Sequence, residues 1–64
     1  MTQIITTPNI DKPDDFYEQL LAIHEGLTKQ QSDNVNASLI LILANHIGDQ
    51  KILSEALEMA KTTK

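Results

Sequence analysis

The stretch Asn34-Val35-Asn36-Ala37-Ser38-Leu39-Ile40-Leu41-Ile42-Leu43-Ala44-Asn45-His46-Ile47-Gly48 runs from Asp33 to Asp49 without a formal charge, and nine of its fifteen residues are apolar. At about 100° per residue, Leu39 to Leu43 point in every direction around a helix axis, so one stripe packed on one neighbour does not cover them. The run is also too short, and too interrupted by Asn36, Asn45 and His46, to cross a bilayer, which takes about 20 apolar residues. It predicts a helix with more apolar surface than a 64-residue chain can hide alone.

The flanks of this helix are punctuated. Thr28 followed three residues later by Gln31 has the form of a capping box, and Gly48 suits the left-handed position that ends a helix, so the spacing predicts a helix over 29–47. Asp49 is placed to cap a third helix over 50–62, whose apolar stripe is Ile52, Ala56, Met59 and Ala60 with Leu53 and Leu57 beside it. Lys61 and Lys64 favour its C-terminal dipole end. Upstream, Asp11 is a candidate cap, Pro13 suits a first helical turn, and Asp14 and Asp15 sit where the dipole favours anions. A first helix over 13–25 then carries Phe16, Leu20, Ile23 and Leu27 on one stripe, with Tyr17 and His24 at its edge and Gly26 as terminator. The short link to Thr28 implies an antiparallel hairpin of the first two helices.

Residues 1–10, with Pro8-Asn9 and no usable period, read as a flexible or extended arm from which Ile4, Ile5 and Ile10 can dock on a neighbour. The expected fold is therefore all-α. One domain over 11–64 forms a helical hairpin plus a third helix, as a small bundle completed by oligomerisation. The aromatic content is only Phe16 and Tyr17, and cysteine is absent, so the core is aliphatic and unstapled. Self-association, as a dimer or a higher even assembly, is the remaining support, with Val35, Leu39, Leu41, Ile42 and Leu43 as its expected contacts.

Charge narrows the function classes. The formal net charge is −4, all of it contributed by residues 11–25, where Asp11, Asp14, Asp15, Glu18 and Glu25 face Lys12 alone. All basic residues are scattered lysines, which argues against a nucleic-acid partner. Residues 1–10 lack the basic-then-apolar order of a signal peptide, and the lack of cysteine fits a reducing compartment, so the expected location is cytoplasmic and no membrane partner is implied.

Five polar residues stand out as a candidate site: His24, Asn36, Asn45, His46 and Asp49. Asn34, Ser38 and Asn45 form a narrow polar sector on the second helix, whereas Asn36 and His46 fall among its apolar positions and need partners. Ten residues of helix hold Asn36 and His46 about 15 Å apart within one chain. Across two antiparallel copies centred on Leu41, Asn36 of one lies opposite His46 of the other and can fix the register, as a buried Asn does in coiled coils. Metal binding has no third obvious ligand beside His24 and His46, no HExxH pair and no thiolate, so no metal and no cofactor is expected. A nucleophile elbow and a Gly-rich phosphate loop are absent, and Asp14-Asp15 is explained by the helix dipole.

The run Asp15-Phe16-Tyr17, then His24 with Gly26-Leu27, Asn36-Ala37 with Leu39, Leu43-Ala44-Asn45-His46-Ile47-Gly48-Asp49, and Leu53 with Ala56-Leu57 resembles a small bacterial family, domain of unknown function 2783. The resemblance covers about residues 11 to 60, with Ala44 to Asp49 its most specific part. It implies a short, all-helical bacterial protein with no assigned activity. Relatives often carry arginines where this chain has Glu25 and Ser38, so an anion-binding role is not carried over, whereas Asn36, Asn45, His46 and Asp49 match. The expectation is a non-catalytic interaction or accessory module that oligomerises and can bind another protein. The alternative is a small-ligand or metal-binding protein, or a minor enzyme, with a His/Asn/Asp site at a subunit interface.

Overall fold

A computed structural model describes residues 3–63 and contains three helices: α1 (Pro13–Ala22), α2 (Lys29–Ile47) and α3 (Gln50–Lys61). Among the described residues there is no strand. The all-α expectation holds, and both ends of α2 fall where the punctuation places them.

Each boundary has a local cause. Thr28 and Gln31 form the full capping box: the Gln31 backbone N–H donates to Thr28 Oγ1 at 3.1 Å, and the Thr28 N–H donates to Gln31 Oε1 at 3.0 Å. Gly48 closes α2 at φ 72°, a left-handed conformation that costs glycine little. Immediately afterwards Asp49 Oδ1 accepts from the N–H groups of Lys51, at 2.9 Å, and Ile52, at 3.2 Å, satisfying two orphan donors of α3.

The first helix departs from expectation at both ends. Asp11 does not cap it; Lys12 occupies the cap position and offers no side-chain bond. The reason is Pro13, which takes the first helical position and pushes the residue before it into an extended conformation, φ −133° and ψ 80° at Lys12, leaving Asp11 one residue too early. At the other end α1 stops at Ala22, and Ile23 to Gly26 form tight turns in which the His24 N–H bonds to Leu21 O at 3.1 Å and the Glu25 N–H to Ala22 O at 3.2 Å. The connection to α2 is thus residues 23–28. That length lets α1 swing aside, and the closely packed α1–α2 hairpin expected from a two-residue link is not formed.

Helix-on-helix contact is made by α2 and α3, which meet at the Gly48 elbow and then splay. Residues 3–12 have neither helix nor strand, and Gln3, Ile4, Ile5 and Asn9 line a cleft of about 430 Å³ with Ile47, Asp49 and Ile52 of the elbow. Ile52 is 7% exposed and is the one buried side chain among the described residues. Ile4, Leu20, Leu27, Val35, Leu39 and Leu53 are half-buried around it or along the chain. The radius of gyration is 13.5 Å, against about 11 Å for a compact domain of this length.

Candidate functional site

Of the five polar residues singled out, the structure brings two together. His24 Nδ1 lies 2.9 Å from the Leu20 carbonyl oxygen, and His24 Nε2 lies 2.9 Å from Asn36 Oδ1. A carbonyl only accepts, so Nδ1 carries a hydrogen and donates it, capping a carbonyl left free where α1 ends. Asn36 therefore finds a partner within its own chain, twelve residues away.

The other three lie at the elbow. Asn45 and His46 are exposed in the last turn of α2, and Asp49 is occupied in capping α3. Nine residues of helix separate Asn36 from Asn45, about 13 Å along the axis, so the five do not converge on one point. Among the described residues no three of His, Asp or Glu stand close enough to share a metal ion. The intrachain arrangement of these groups is that of a clasp at one end of α2 and a helix junction at the other.

The larger feature is apolar. Ile40, Leu43, Ala44 and Ile47 of α2 and Leu53, Ala56, Leu57 and Ala60 of α3 line an open groove of about 480 Å³ between the splayed helices, with Gln50 at its closed end. No charged side chain lines it. Ile40 is 64% exposed and Leu57 68%, values far from those of a finished core. The ion pairs of these two helices, Lys29 with Asp33 and Glu58 with Lys61, are solvent-exposed and lie outside the groove.

The expected self-association residues divide among different sides of α2. Leu43 is in the groove, Val35 and Leu39 are half-buried by the chain itself, and Leu41 and Ile42 stand 71% and 62% exposed away from it. Sequence reading missed the groove as a unit. The signal was present in the α3 periodicity, where Leu53, Ala56, Leu57 and Ala60 repeat at helical spacing, but the facing of this sector toward α2 depends on the elbow at Gly48.

A small three-helix chain with an incomplete apolar core and no metal-holding cluster of His, Asp or Glu among its described residues is the class that fold and site define. The model of the DUF2783 family, described as a protein of unknown function, matches residues 4–62, and the chain belongs to that family. No curated protein and no solved structure matches it. None of the helices described is long and apolar enough to cross a membrane.

Proposed function

We propose that this protein is a non-catalytic, self-associating helical module of the bacterial cytoplasm, whose folded unit is an assembly of identical chains that in turn presents a surface to another protein. The observation that carries this reading is the amount of surface left open. A folded monomer of 7.1 kDa exposes about 4,100 Å² by the usual size scaling. This chain exposes 5818 Å², so the excess, part of it on the arm, is about 1,700 Å², more than the ~800 Å² per partner of a standard interface.

With Ile52 alone buried among the described residues, the isolated chain has little to oppose its conformational entropy. A partner that supplies the missing core must be present whenever the chain is, and another copy meets that requirement. The absence of cysteine supports residence in a reducing compartment. The test is the absolute mass by light scattering after size exclusion over a hundredfold dilution. A multiple of 7.1 kDa is expected; a monomer at every concentration with an undiminished helical spectrum overturns the reading.

A further inference from the structure

Building on that self-association, we infer that the copies meet groove to groove, the open α2–α3 cleft of one chain being filled by the α2–α3 cleft of a second. Three observations lead there. The groove is uncharged along its whole lining, so closing it desolvates no ionised group. Its relief is self-complementary in kind: Ala44, Ala56 and Ala60 leave shallow places, and Ile40, Leu43 and Leu57 project beside them. On a two-fold axis the same patch serves both subunits, and each projecting side chain can enter the hollow of the other copy. Finally, the chain as a whole leaves more surface open than one standard interface covers, and the groove is where large exposed aliphatic residues face one another across two helices.

The opposite side of α2 does not offer this. Leu41 is as exposed as Leu57, yet at about 100° per residue it falls next to the sector of Asn34, Ser38 and Asn45, all exposed and polar. An interface centred on Leu41 has to desolvate those amides and the hydroxyl. The Ile52 flank of α3 borders the arm, so the groove is the apolar surface left open between α2 and α3.

Leu41 and Leu57, 71% and 68% exposed, form a matched pair for the test. Neither is part of the folded interior of one chain, so Leu41→Glu and Leu57→Glu impose the same chemical change at equal cost to the monomer. Dissociation constants from sedimentation are expected to rise on the order of a hundredfold or more for Leu57→Glu, which buries an unpaired charge, and to stay within about threefold for Leu41→Glu. The cysteine-free sequence permits a second readout. Of the single variants Ala44→Cys, Ala56→Cys and Ala60→Cys, the one nearest the two-fold axis should yield an oxidised dimer on a denaturing gel, and Leu41→Cys and Asn45→Cys should not.

If the wild-type chain is monomeric throughout, self-association falls and this inference falls with it. If the wild type is multimeric but Leu41→Glu is the variant that dissociates, or neither does, or cross-links form only at Leu41 and Asn45, the groove assignment is overturned while self-association stands. Should Leu57→Glu fail to fold, the cross-linking pattern decides alone.

Discussion

The imidazole of His24 reaches Asn36 at 2.9 Å while its other nitrogen holds the Leu20 carbonyl, so one side chain ties the end of α1 to the second turn of α2. No helix-on-helix packing joins α1 to α2, which makes this clasp the specific polar link between them. The clasp is partly solvated, so its net value is modest. His24→Ala is expected to cost about 1 kcal/mol at fixed chain concentration, and a double-mutant cycle with Asn36→Ala should show a coupling of about 0.5–1 kcal/mol. Urea denaturation checks this; a coupling of zero means the bond is not held in solution.

Asp49 raises a choice between cap and reactive carboxylate, and its bonds to the Lys51 and Ile52 N–H groups favour the cap. Asp49→Ala should cost about 1 kcal/mol, and Asp49→Ser or Asp49→Asn should restore most of it, since a cap requires an acceptor and not a charge. Thermal melts at one chain concentration distinguish the cases. A loss that neither Ser nor Asn recovers would show that the carboxylate has another task.

These two sites also show where sequence reading succeeds and where it stops. Thr28, Gln31, Gly48 and Asp49 act on the backbone within four residues of themselves, so their chemistry predicts the limits of α2 and the start of α3 from spacing alone. The end of α1 was not legible, because Ile23 and Leu27 continue an apolar rhythm that a helix and a run of tight turns share. His24–Asn36 was not legible either. The contact joins residues twelve apart through a connection whose path periodicity does not specify. The α2–α3 groove lies between these extremes: its residues were visible as stripes, and their meeting was not.

Gly26 and Gly48 both have positive φ, 75° and 72°, and each leaves room for a side chain. A Cβ at Gly26 meets nothing within 4 Å, and at Gly48 it lies 3.8 Å from Asn45 O, an ordinary contact. Substitution is thus penalised through backbone conformation and not through clash. Gly26→Ala and Gly48→Ala should each cost about 1–2 kcal/mol, and Gly48→Asn less, since Asn tolerates the left-handed region better. Equal losses for Ala and Asn, read from chemical denaturation, would point to a steric cause that the structure does not contain.

Salt provides a test of what drives assembly. Each copy carries a formal −4, contributed entirely by residues 11–25, whereas the groove lining has no charge. Bringing two copies together therefore sets like-charged first helices in one particle without creating ion pairs at the contact. Screening should relieve that repulsion: the Debye length shortens from about 10 Å at 0.1 M to about 3 Å at 1 M. Apolar burial is not weakened over the same range. Association measured by sedimentation is accordingly expected to tighten severalfold between low and high sodium chloride. An interface built on ion pairs, such as acidic α1 of one chain against lysines of another, would loosen instead, and that outcome would move the contact away from the groove and onto the charged faces.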